Sequence, residues 1–493
     1  MRVMNRLMCL LVTPLLLGGG VVSAQPVWDD GESFDDFREE WNGWVESLND
    51  DERAAEGLAE VLERFNDERK QELDPQRGIW TLDVLLAGRP WNEYWVFREE
   101  GLRVYQDELN MLDHLAGCAH LGAPISTIVD DPELDQDAEY LPSYWVQEYQ
   151  LVSVSPIRTA IQYLVSDAVC HAFEGRQEVS VQRFEAASRL CAFFLELPTD
   201  LGLLSELACR RVVREAIIES IEYDPDIFHD AQLARLQALL ISDLATEYTD
   251  VWRFESRVAH ADWGASFGDE DPYQLDLLAA MYHDHASIYI GGDFSSFFSL
   301  VIEPDLDPRV RLAPVNKQVA IHTQILGGML EDLRASPVAL TRLSSSTQMR
   351  AHLSGDNASR FVPVFVDTAL WRTQLGSIHR NNYETANQIA VISIYRHRAR
   401  HGAWPTALDE IDPQVLPIPA IDYYSGEPLR YTLIHGEPRL WALGADRDDD
   451  GGRIRKHETS TMNPAYTWYA LDEWDALSEA QRADLDGDLR ILN

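Results

Sequence analysis

The chain has 493 residues and a mass of 56.0 kDa, room for two or three domains. With 45% hydrophobic residues, 10% aromatics and 14 Trp it carries enough apolar surface for a sizeable core, which excludes intrinsic disorder as its overall state. The 82 Asp and Glu against 41 Lys and Arg give a formal net charge of −41, a field that repels phosphate backbones and anionic headgroups; nucleic acid and membrane surfaces are poor partners, and cations or basic proteins good ones.

Arg2 and Arg6 precede an apolar run from Leu7 to Val22 that ends in Val22-Ser23-Ala24 before Gln25. A basic start, a short apolar middle and small residues at the end are the features of a cleavable export signal, residues 1–24. Pro14 and Gly18-Gly19-Gly20 interrupt the run, which is short for a membrane span of about 20 residues. The expectation is a protein exported to the periplasm or beyond, with no membrane insertion after cleavage. Four cysteines follow the signal: Cys118, Cys170, Cys191 and Cys209. Cys191 and Cys209 flank a turn at Pro198-Thr199-Asp200, so a bridge between neighbouring helices is one reading and buried free thiols the other.

Residues 25–375 read as an irregular helical bundle. Ile157, Ile161, Leu164, Val165, Ala168 and Ala172 keep the helical period and Gly175 stops it. Val181, Phe184, Ala187, Leu190, Cys191 and Phe194 form a second stripe, ended by Pro198. A third helix spans about 203–221, before Asp224-Pro225. Further helical patterns cover about 52–72, 93–116, 231–259, 274–287, 315–334 and 384–401.

The texture changes in the last quarter. After the helix stopped by Gly402 come four prolines and two β-like runs, Leu429 to Ile434 and Arg439 to Leu443, with Gly436 between them as a hairpin turn. Residues 376–493 therefore read as a small α+β module, making the fold class mainly α with an α+β tail.

In Asp446-Arg447-Asp448-Asp449-Asp450-Gly451-Gly452, carboxylates alternate along a tight acidic loop. Such a loop converges oxygens on Ca²⁺: Asp446, Asp448 and Asp450 through side chains, Gly452 through its carbonyl. A full EF-hand needs Glu at position twelve, where His457 stands, so Asp486 or Asp488 are candidates to complete the shell. The ion's expected role is structural.

Catalytic patterns are weaker. Gly264-Ala265-Ser266-Phe267-Gly268 has the spacing of a hydrolase nucleophile elbow, but polar, turn-like sequence surrounds it where that motif needs a buried strand and a helix. Ser266, with His283, His285 and Asp293 downstream, is the alternative catalytic reading. His397 and His401 stand four apart on a helix, but Arg398 occupies the general-base position of H-E-x-x-H, and Arg398 and Arg400 would repel a cation. Glu215 and Glu219 share a helix face without the histidine a di-iron bundle requires.

The stretch from "IAVISIYRHRARHGAWPTALDEI" through "DYYSGEPLRY" to "LWALGADRDDDGG" resembles the C-terminal part of type II secretion major pseudopilins. That resemblance implies a helix leading into an antiparallel sheet, with Ca²⁺ at Asp446 and Asp448. The segments "YQDELNMLDHLAGCAHLGAPI", "ACRRVVREAIIESI" and "RLAPVNKQVAIHTQILGGMLEDL" resemble helical blocks of exported planctomycete-type proteins that join a helical domain to a pilin-like tail. By that likeness "DGDLRILN" is a closing strand, and about 453–483 an insertion. The combined expectation is an exported, non-enzymatic structural or interaction protein of the cell envelope with an envelope partner. A secreted serine hydrolase and a helical ligand-binding protein are the alternatives.

Overall fold

The computed structural model describes residues 34–65, 102–125, 144–196, 199–246, 248, 250–254, 256, 315–335, 362–422, 426–443 and 489–492. These are mainly helical, with one small antiparallel sheet. The helices are α1 (Phe34–Ser47), α2 (Ala55–Phe65), α3 (Gln106–Leu115), α4 (Tyr144–Phe173), α5 (Gln177–Ala192), α6 (Asp200–Tyr223), α7 (Asp230–Leu244), α8 (Val315–Ala335) and α9 (Val362–His401). The strands are β1 (Arg430–Ile434), β2 (Glu437–Ala442) and β3 (Leu489–Leu492).

The centre of the bundle is the α4–α5 hairpin with α6 laid across it. Gly175 makes the hairpin turn: its φ of 77° is a left-handed value open to glycine, and it lets the Arg176 N–H reach back to the His171 carbonyl at 2.8 Å. Ile161, Leu164 and Ala168 of α4 are fully buried, as are Val181, Phe184 and Leu190 of α5, so the two predicted stripes face one core. Thr199 then caps α6, its hydroxyl accepting the Gly202 N–H at 3.2 Å. Helix α4 continues through Pro156 back to Tyr144, a turn and more before the predicted stripe. A proline there forfeits one backbone bond without ending the helix.

The largest departure from expectation is α9. The pattern predicts a helix over 384–401, whereas one helix of 40 residues runs from Val362, across the expected boundary at 375/376. It packs against α6, α7, α8 and β3. Gly402, φ 72°, ends it. Trp404 folds back edge-on to Tyr395, centroids 5.0 Å apart, under the Arg398 guanidinium, and the Tyr431 hydroxyl donates to the Pro405 carbonyl at 2.8 Å.

The predicted hairpin forms. His435 (φ 55°) and Gly436 (φ 88°) are its two loop residues, both left-handed as a tight twisted hairpin requires, and Ile434 pairs with Glu437. Strand β3 adds antiparallel to the other edge of β2, giving the order β1-β2-β3. Asp422 anchors the end of β2: its buried carboxylate accepts the Leu443 N–H at 3.0 Å. Among the described residues no helix is long and apolar enough to cross a membrane.

Candidate functional site

Helix α6 places Glu206, Arg210 and Arg214 four residues apart, on one face and inside the core rather than in water. Opposite lies the middle of α9, whose buried residues include a polar set: Gln374, His379, Asn381, Asn382, Thr385 and Asn387. A charge in such a place must be matched, because desolvation of an unpaired ion costs several kcal/mol.

Arg214 is fully buried, and each arm of its guanidinium is used. Nε donates to Gln388 Oε1 at 2.9 Å, Nη1 to Asn381 Oδ1, and Nη2 to Glu384 Oε2 at 3.2 Å. One turn earlier, Arg210 donates from Nε to Glu206 Oε1 at 2.5 Å and forms an ion pair through Nη1 with Asp243 of α7. Buried Tyr248 stands close enough to feel the charges of Glu206 and Arg210. At the head of α6, Asp200 meets Gln374, whose Oε1 also accepts the Trp252 indole N–H at 2.9 Å. A polar seam thus joins α6, α7, the 248–252 segment and α9.

Burial sets the electrostatics of this seam. It raises the Glu206 carboxyl against the pull of Arg210, and pushes Asp200 up to about 6. It likewise raises the Tyr248 phenol, and lowers the Arg214 guanidinium despite Glu384. The arrangement locks helices together at fixed register through paired groups.

A second polar cluster ties the N-terminal part to the α5–α6 turn. Glu196 accepts the Gly122 N–H at 2.8 Å and contacts His120 Nδ1 at 3.1 Å, while the Trp44 ring stands edge-on to the imidazole at 4.9 Å. Burial pushes Glu196 up to about 7 and lowers His120. Gly122 has φ 64°, and a Cβ there would lie 2.7 Å from that of Arg53, so this approach needs glycine. In a third cluster Arg183 donates to Asp167 (2.9 Å), the Leu109 carbonyl (2.9 Å) and Asn110 (2.6 Å), pinning α5 to α3 and α4.

The residues singled out by sequence fare unevenly. Asp446, Asp448, Asp450, Gly452, Asp486 and Asp488 lie outside the described residues, as do Ser266, His283, His285, Asp293 and the export signal. Of the two readings of Cys191 and Cys209, the structure has the buried thiols: neither forms a disulfide, nor does buried Cys170 or half-buried Cys118. They are near enough to interact, and burial raises both, Cys209 to about 12; Cys191 donates to the Ala187 carbonyl at 3.3 Å. Glu215 pairs with Arg211 at 2.5 Å on the exposed side of α6. Among the described residues no group of three or more His, Cys, Asp or Glu is placed to hold a metal ion.

The seam itself was missed, although α6 carries its signal. Arginines at 210 and 214 interrupt the apolar series Cys209, Val212, Val213 and Ile217, and Glu206 precedes Arg210 by one turn. Charges inside a core stripe at i, i+4 point to a buried ion pair. No protein family, curated protein or solved structure matches the chain.

Proposed function

We propose that this is an exported, non-enzymatic structural or interaction protein of the bacterial cell envelope, in which a helical bundle presents a pseudopilin-like C-terminal module stapled by Ca²⁺. The observation that supports this reading best is the double use of α9. Its middle is bolted into the bundle through Arg214, and its last turns lead through Gly402 into an antiparallel sheet. A helix followed by such a sheet is the arrangement that the resemblance to major pseudopilins implies. A partner held by the sheet would be held rigidly to the bundle.

The calcium ligands in this proposal are Asp446, Asp448, Asp450 and Gly452, with Asp486 or Asp488 from the segment before β3. Asp446 follows Leu443, whose N–H is fixed by Asp422, by three residues. Oxygen-rich loops of this spacing suit a hard cation.

The test is thermal unfolding with Ca²⁺ and with chelator, for the wild type and Asp448→Ala. Binding to the native state alone raises stability by about 2.7 kcal/mol at a hundredfold excess over Kd. A calcium-dependent shift that Asp448→Ala abolishes is expected. An equal response of both proteins, or none from either, refutes the site.

A further inference from the structure

The C-terminal end of α9 brings two imidazoles together, apart from the acidic loop. His397 and His401 are one turn apart, with ring centroids 4.4 Å from each other and planes inclined at 43°. His401 is exposed and His397 half-buried. Their arginine neighbours, which on sequence alone would repel a metal ion, are engaged elsewhere. Arg398 donates to Asp226 at 3.2 Å and lies over the Trp404 ring, and Arg400 donates to Asp230 at 2.8 Å. Arg396 is turned the same way, to Asp230 at 2.9 Å and to Gln237. All three guanidiniums are thus held by α7 and the turn before it, where Asp226 and Asp230 offset two of the three charges.

The surroundings of the imidazoles favour a cation. They sit in the last turns of a 40-residue helix, where the unpaired carbonyls gather partial negative charge. Glu410, on the segment that folds back after Gly402, exerts a favourable charge interaction on His397 while its carboxylate accepts the Thr406 N–H at 2.7 Å and the Thr406 hydroxyl.

We propose that His397 and His401 form a two-imidazole surface site for a borderline divalent transition metal, Cu²⁺ or Zn²⁺, whose remaining coordination positions are filled by water or by a partner's side chain. Imidazole suits these ions, and among them Cu²⁺ binds most tightly. Hard cations are poor competitors because they require oxygen ligands. The site does not depend on the calcium reading.

The test is a Cu²⁺ titration of the full chain, followed by calorimetry and by the nitrogen hyperfine pattern in electron paramagnetic resonance, with His401→Ala and His397→Ala beside the wild type. Two tethered ligands gain about 100-fold over one. The wild type is expected to show a tightest site with two imidazole nitrogens, and each variant to bind there about 100-fold more weakly with one. Excess Ca²⁺ should leave the signal unchanged. Wild-type affinity in His401→Ala, which removes an exposed side chain and leaves the core intact, overturns the proposal, as does displacement of Cu²⁺ by Ca²⁺.

Discussion

Replacing Arg214 by Met tests whether the buried seam holds α6 to α9. The change keeps an apolar stem of similar length and removes all three guanidinium contacts, leaving buried Asn381 and half-buried Gln388 without their donor. Hydrogen bonds to a charged group contribute about 1.5–3 kcal/mol each, so these two amides account for about 3–6 kcal/mol. Glu384 adds little, because its side chain is 24% exposed and water replaces the lost partner. Relief from burying the guanidinium offsets part of the loss, leaving about 3–4 kcal/mol, within the range for one-sided removal of a buried ion-pair partner. Arg211→Met is the control: its pair with Glu215 lies at the surface, and its loss should cost about 0.5 kcal/mol. Urea unfolding followed by tryptophan fluorescence reads both, since buried Trp252 is joined to the seam through Gln374. A difference between the two variants below about 1 kcal/mol would refute the reasoning, which sets one-sided loss of a buried partner against loss of a surface pair.

Two further predictions concern the clasp and the hairpin. Glu196 is raised to about 7 from an ordinary 4.5, so between those values the native state binds the extra proton and stability falls as pH rises. His120, lowered from its ordinary 6.5, contributes in the opposite sense, its share being lost as pH falls below that value. Glu196→Gln should abolish the decline between about pH 5 and 7 in denaturant midpoints measured across that range, a term on the order of 3 kcal/mol; an unchanged pH profile would show that the carboxyl titrates normally. Gly436→Ala introduces no clash, as nothing lies within 4 Å of the new Cβ, but it forces a left-handed backbone on alanine. A loss of about 1–2 kcal/mol is expected, readable in the thermal midpoint, and a neutral result would mean the turn has other conformations open to it.

The sequence exposes those parts of the fold whose causes are local. Gly175 and Gly402 mark helix ends because only a left-handed residue lets the chain leave there, and His435-Gly436 marks a hairpin for the same reason. The part of α9 just before residue 384 is illegible because its buried residues are mixed, with Gln374, His379, Asn381 and Asn382 among Leu375 and Ile378, so no clean apolar stripe reveals it. The 231–259 pattern runs together two helical stretches, α7 ending at Leu244 and residues 250–254, because core residues Tyr248, Val251 and Trp252 continue the apolar spacing across the break. The seam requires knowing that residues 214 and 388 meet, a contact across 174 positions that no window of sequence contains. The inward aim of Arg398 and Arg400 is equally non-local, resting on Asp226 and Asp230.

That separation bears on the order in which the chain folds. The α4–α5 hairpin and α6 are contiguous and can assemble from short-range contacts, whereas α9 must close a loop of 174 residues, at an entropic cost of about 4–5 kcal/mol, before Arg214 finds its partners. Until then the charged face of α6 is hydrated and the Ile217 and Val213 surface beside it is bare. A chain still emerging from synthesis therefore holds a half-built bundle with a sticky groove, and the last third of the polypeptide acts as its own chaperone by closing it.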